Sequence, residues 1–141
     1  MILESALLCL ALNIYHEARN QSVQGMIAVA EVVMNRAQHQ QDKVCAVVFK
    51  PYQFSWANKM TTTQNIEQRE LLAKRFVPKD NASWKTSLRI AKKTLQGRAP
   101  SVVTGATHYF NPDKVKRRPK WADKLTEVAQ VGDHLFYSSS F

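Results

Sequence analysis

The apolar positions of the first forty residues fall into two helical stretches. Between Ile2 and Ala18, Leu3, Leu7, Leu10, Ala11 and Ile14 recur at three- and four-residue spacing. Leu8, Leu12 and Tyr15 widen that stripe until the helix is apolar nearly all round, the pattern of a buried helix. Its polar groups gather at one end, where Asn13, His16 and Glu17 fall on one side of the final turn. Asn20, Gln21 and Ser22 break the pattern, with Ser22 placed to cap a second helix. That helix is predicted from Val23 to Gln38, with one narrow polar stripe of Gln24, Glu31, Asn35 and Gln38. Gly25 inside it costs about 1 kcal/mol against alanine. Another backbone is therefore expected close by, with the first helix the candidate.

Beyond a polar connector at 39–43, the run Val44 to Phe49 is apolar and short, and periodicity does not choose between strand and helix. Tyr52 to Trp56 then reads as an aromatic loop. Aromatic rings stack on sugar faces and amides bond hydroxyls, so Gln53, Phe54 and Trp56 are candidate sugar contacts. Alternatively Phe54 and Trp56 pin the loop to the core, a reading that suits Phe54 better. Residues 64–75 read as an exposed helix ended by Pro78. Trp84 to Gln96 is a further helix, opened by Asn81-Ala82-Ser83 and stopped by Gly97. The period then changes. Ala106 to Phe110 is predicted as a strand, and 128–131 and 134–137 as two more, joined by a turn at Gly132-Asp133. The expected fold is one mainly helical α+β domain over residues 1–141, with a small antiparallel sheet toward the C-terminus.

Glu17 stands out because it is a carboxyl at the C-terminal end of an apolar helix. The helix end is partially negative and apolar neighbours disfavour an anion, so both push its proton affinity up. That is the direction a general acid needs. Arg19 would oppose this if it folded back. The bland alternative is a glutamate pairing locally on a surface turn.

Composition narrows the class. With 141 residues, 45% hydrophobic and 22% charged, the chain is long enough for a real core. No stretch is long and apolar enough to span a membrane. The start lacks a basic region and carries Glu4, so synthesis in a cytoplasm without a cleaved signal is expected. Cys9 and Cys45 are the two cysteines; they can pair, but their spacing does not demand it. The histidines are scattered and there is no CxxC, so no metal and no cofactor are expected. The net charge of +9 points to an anionic partner: nucleic acid, acidic lipid or anionic cell wall.

The residues resemble the SleB/CwlJ family of cell wall hydrolases, whose founding members are spore-cortex-lytic enzymes. The matching pieces are Ile14 to Arg19, Gly25 with Ala28-Val29-Ala30, Asn35-Arg36, Val44 to Val48, and Gln53-Phe54-Ser55. Gly105 to Phe110, Trp121 and Gly132 to Tyr137 complete the set, which runs in order over about residues 10 to 138. The resemblance implies a lysozyme-like fold and cleavage of peptidoglycan glycan strands between N-acetylmuramic acid and N-acetylglucosamine. It implies Glu17 as the catalytic acid, and lytic transglycosylase chemistry leaving a 1,6-anhydro sugar. After Ala18-Arg19 the family usually shows Gly-Glu; this chain has Asn20-Gln21, which removes an acidic residue beside the site.

A single strong acid fits that chemistry, because the sugar's own 6-hydroxyl replaces a second carboxylate. Glu31 is the remaining candidate for a second acidic group, although it reads more simply as a helix-face residue. Asp113 and Asp133 sit at turns. Strand alternation puts Thr107 and Tyr109 on one face and His108 on the other. Thr107, His108 and Tyr109 are candidate substrate contacts; Tyr109 can instead hold Glu17, and His108 can be a core histidine. The basic loop 114–120 is either a solvated loop or a surface for anionic envelope polymers. A monomer is expected, working on the wall in the manner of a phage endolysin or of a bacterial germination or remodelling enzyme. The rival is a small basic nucleic-acid-binding protein without catalysis, supported by the charge and by the run ending at Trp121. No specific nucleic acid is expected.

Overall fold

The first helix, α1 (Glu4–Ala18), is the centre of the fold, and three later helices pack against it. The computed structural model describes residues 2–50, 74–75, 77–79 and 81–139. Within α1, Leu10, Leu12 and Ile14 are fully buried, as an all-round apolar pattern requires. Each such side chain contributes about 1.5–3 kcal/mol. The helix starts two residues later than its pattern, at Glu4, whose charge suits the N-terminal end of the helix dipole. Leu3 stays extended, its N–H donating to Gln41 Oε1 at 2.9 Å.

Ser22 caps α2 (Val23–Arg36) as expected, its hydroxyl accepting from Gly25 N–H at 3.2 Å. The helix ends two residues early, because Gln38 and His39 both take left-handed conformations. Gly25 does face a close approach, but not from the body of α1. A Cβ there would lie 3.0 Å from Gln21 Cβ, so the glycine makes room for the loop between the helices.

The run that periodicity left open is a short helix, α3 (Val44–Val48), with Val44 and Val48 fully buried. Cys45 on α3 is bonded to Cys9 on α1, with Cα atoms 5.3 Å apart. Asn81 caps α4 (Ala82–Leu95), accepting from the N–H groups of Ser83 and Trp84 at 2.8 and 3.2 Å. Of the helix expected over 64–75, only residues 74 and 75 are described, and both are helical. Among the described residues, no helix is long and apolar enough to cross a membrane.

Three antiparallel strands complete the chain, β1 (His108–Phe110), β2 (Thr126–Val131) and β3 (His134–Ser138), in the order β1-β3-β2. Tyr109 pairs with Phe136 across β1 and β3, and β2 carries an irregularity between Glu127 and Ala129. Alternation splits the two faces of the sheet. Phe136 and Tyr109 join the main helical core, whereas Phe110 and Tyr137 form a second, smaller cluster with Ala122 and Trp121. The mainly helical α+β fold with a small C-terminal antiparallel sheet is therefore what the chain adopts.

Candidate active site

Glu17 lies in the last turn of α1, where the buried helix reaches the surface. Tyr109, from the middle of β1, donates its hydroxyl to Glu17 Oε1 at 2.8 Å. Of the two roles open to Tyr109, holding the carboxyl is the one its hydroxyl performs. With Oε1 occupied, Oε2 is left to carry a proton. Burial raises the pKa of Glu17; the Tyr109 hydrogen bond and the charge of Lys114 pull against it. Arg19 is not among those opposing groups, and its guanidinium lies over the Tyr15 ring, 5.0 Å from the centroid. The same burial, with Glu17 beside it, holds the Tyr109 hydroxyl well above the ordinary tyrosine range. Tyr109 therefore keeps its proton, and stays a donor, near neutral pH.

Glu17 and Tyr109 open onto a cavity of about 350 Å³ whose other walls include His16, Asn20, Gln21, Asn111, Lys114 and His134. Sequence reasoning nominated none of these six as site residues. His16 could have been found, since it shares the polar end of α1 with Glu17. Lys114 opens the basic run. Asn20 and Gln21 come just after Glu17 in the chain, and His134 falls in a matching piece of the family resemblance; Asn111 carries no local signal and is brought in by the tertiary fold. Gln21 has a definite task. Its Nε2 donates to Asp133 Oδ2 at 3.0 Å, and its Oε1 accepts from Asp133 N–H at 3.2 Å. The loop after Glu17 is thereby latched to the β2–β3 turn. Gly132 in that turn has φ +58°, and a Cβ there would strike Gln21 Oε1. The Asn20-Gln21 departure from the family pattern is thus a structural contact across the site.

Three nominated residues lie elsewhere. Glu31 does not line this cavity; it lines a separate one of about 430 Å³ between α2 and the 97–105 segment. Its carboxylate accepts from Ser101 Oγ at 2.6 Å and from the N–H groups of Val102 and Val103 at 2.7 and 3.0 Å. It anchors the 101–103 loop to α2, the task of a helix-face residue. Thr107 and His108 are also outside the Glu17 cavity. The Thr107 hydroxyl and His108 Nδ1 are hydrogen-bonded at 2.9 Å, and the His108 ring packs 4.9 Å from Trp121. Alternation turned His108 away from Tyr109 as expected, toward the smaller core. Gln53, Phe54 and Trp56 lie outside the described residues. Among the described residues, no cluster of three or more His, Cys, Asp or Glu side chains is placed to hold a metal ion.

Arg36 completes the surroundings. Burial lowers its pKa, and its charge acts on both Tyr109 and His108. Asn35 beside it donates Nδ2 to Ala106 O at 2.8 Å, fixing the approach to β1 against α2. Asn35 therefore serves the site by placing the strand that carries Tyr109.

The chain is similar to known proteins in sequence and in fold. The chain is 29% identical over 129 residues to the spore cortex-lytic enzyme of Halalkalibacterium halodurans, covering 90% of this chain and 33% of that one. It thus spans about a third of the length of that relative. The catalytic domain of the germination-specific lytic transglycosylase SleB from Bacillus anthracis shares the fold, with a TM-score of 0.67 and 23% identity over 96% of both chains. So does the catalytic domain of the Bacillus cereus SleB protein, with a TM-score of 0.68 and 22% identity over 98% of this chain and 93% of that one. The family model described as Cell Wall Hydrolase matches residues 20–137. That segment starts just past Glu17 and takes in Tyr109, Lys114 and His134. The chain belongs to the cell wall hydrolase family.

Proposed function

We propose that the protein cleaves the glycan strands of peptidoglycan between N-acetylmuramic acid and N-acetylglucosamine, as a lytic transglycosylase with Glu17 as acid and base. The observation that carries this reading is a lone carboxyl, raised in pKa by burial and held by Tyr109, in the wall of an open polar cavity. Glu17 is the one carboxyl among the residues lining that cavity. Asp133, next to His134 in the chain, is engaged by Gln21. Glu17 first gives its proton to the glycosidic oxygen as the bond from that oxygen to the anomeric carbon breaks. The 6-hydroxyl of the same muramic acid residue then attacks that carbon and returns its proton to Glu17. The product is a 1,6-anhydro end, and no water is consumed. Hydrolysis would call for a second carboxylate to act on water or on the sugar.

The reading extends to the setting. Residues 1–141 form one catalytic unit that works as a monomer at the cell wall, in a phage endolysin or a bacterial wall enzyme. The Cys9–Cys45 bond supports action outside a reducing cytoplasm. Lys116, Arg117 and Lys120 are exposed beside the cavity-lining Lys114, and favour approach to anionic envelope polymers. Arg118 is engaged locally, 3.2 Å from Asp123 and over the Tyr137 ring. No observation on the fold favours the nucleic-acid-binding rival over this one. Mass spectrometry of muropeptides from digested sacculi tests the reading. Anhydro ends that vanish with Glu17→Gln support it. Reducing ends would mean hydrolysis, and free stem peptides an amidase.

A further inference from the structure

The Glu17 cavity has one wall for which the proposed proton transfers have no use. It is made by Lys114 and Val115, which follow β1, the strand that carries Tyr109. The chain between is a closed turn. Lys114 N–H donates to Asn111 O at 3.1 Å, and Asp113 N–H donates to Asn111 Oδ1 at 2.9 Å. The wall is therefore tied to the strand that holds the acid. Lys114 bears the one lysine or arginine charge among the residues lining the cavity. That charge acts on Glu17 from α1 and on His134 from β3, so the ammonium lies within electrostatic reach of both sides. Val115 beside it is 38% exposed and is the one aliphatic residue of the lining.

The fold explains neither side chain. Lys114 is exposed, and among the described residues no carboxylate lies within ion-pair distance of it. Its charge lowers the pKa of Glu17, and so works against an acid that must hold its proton. Val115 joins neither of the two hydrophobic clusters. A cation next to an aliphatic side chain, both open to a cavity, suits a ligand with a carboxylate next to a methyl group. The proposed substrate has such a group. Its two sugars share a ring and an acetamido group, and differ at the 3-oxygen, where muramic acid alone bears a lactyl ether. That ether is a methyl beside a carboxyl, either free or extended by a peptide with carboxylates of its own. The alternating glycosidic bonds of the strand can be told apart only through this substituent.

We propose that the Lys114–Val115 wall determines which bond is cut: the ammonium pairs with a carboxylate of the lactyl group or of the peptide it bears, and Val115 packs on the adjoining methyl. Seating that substituent brings the anomeric carbon of the muramic acid unit to Glu17. A strand shifted by one sugar puts glucosamine there and leaves the wall empty. This rests on the glycosidase reading above.

The test uses three substrates: intact sacculi, glycan strands freed of peptide by an amidase, and the same strands with their lactyl carboxylates converted to neutral methylamides. Release of glycan fragments gives kcat and KM for the wild type, Lys114→Met, Lys114→Arg and Lys116→Met. Lys116 belongs to the same basic run but does not line the cavity. Lys114→Met is expected to raise KM about 3- to 5-fold on substrate that carries the carboxylate, with kcat within about twofold, the worth of an exposed charge pair used in binding. Lys114→Arg recovers the loss. Where the lactyl carboxylate is the partner, amidating it costs the wild type the same factor and costs Lys114→Met nothing. Where the peptide supplies the carboxylate, the loss is confined to intact sacculi. Should Lys114→Met not fold, Lys114→Gln replaces it. Equal losses in Lys114→Met and Lys116→Met mean attraction to anionic polymer at large, and overturn the proposal. A folded Lys114→Met with wild-type KM on every substrate removes this inference alone. A wild-type protein that releases no glycan fragments removes the glycosidase reading and this inference together.

Discussion

Two helices each present one glutamate to a cavity, and the fold treats the two carboxyls in opposite ways. Glu31, in the middle of α2, meets three donors: one hydroxyl and two backbone N–H groups of the 101–103 loop. Glu17, at the end of α1, meets one donor, the Tyr109 hydroxyl, in the wall of its cavity. The first arrangement uses a carboxylate as a fixed acceptor that ties a loop to a helix. The second leaves one carboxyl oxygen uncommitted and makes its charged form unfavourable by burial. A carboxyl becomes a proton donor by being underserved, not by being buried beside many partners.

The contrast can be broken most sharply by exchanging which glutamate is removed. Glu17→Gln should cost about 10²–10⁴-fold in glycan cleavage with the fold retained, the usual span for a lost general acid. Glu31→Ala should keep cleavage within a few-fold and instead lower stability by about 1–3 kcal/mol, since three donors lose their acceptor. Paired turnover and denaturation curves check both. Equal losses of turnover in the two variants would erase the distinction.

Removing the single partner of Glu17 should have a smaller effect of defined sign. The Tyr109 O–H bond favours the carboxylate, so Tyr109→Phe raises the pKa of Glu17 further. The reaction needs the protonated acid, and activity falls as pH rises through that pKa. The alkaline limb of the pH–rate profile should therefore move to higher pH, while the maximal rate falls about tenfold as the carboxyl loses its fixed orientation. A limb that moves to lower pH would contradict the assignment. The smallest effect is expected at the latch. Gln21→Glu replaces the donor to Asp133 with a like charge and should cost about 1 kcal/mol in thermal unfolding.

These particular contrasts were only half legible in the sequence. Glu17 could be singled out because a carboxyl interrupts an apolar helix, and its raised proton affinity results from that placement. Tyr109 was within reach because strand alternation separates it from His108. Glu31 carried no such mark: on a helical wheel, a loop anchor and a cleft acid look alike, and the 101–103 backbone that decides between them is about seventy residues away. A still longer separation hid the contact of Gln21, whose partner Asp133 lies 112 residues on. Helices α1, α2 and α4 and the C-terminal hairpin were readable from periodicity and turn chemistry. The five residues of α3 are too few to show a period, and the Cys9–Cys45 bond depends on where α3 lands against α1.

The most direct measurement is the titration of the Glu17 side chain itself, monitored by carbon NMR of the labelled carboxyl. Its midpoint should lie above the ordinary glutamate value and move higher still in Tyr109→Phe. A midpoint at or below the ordinary value, unmoved by the loss of Tyr109, would contradict the role of Glu17 as the proton donor.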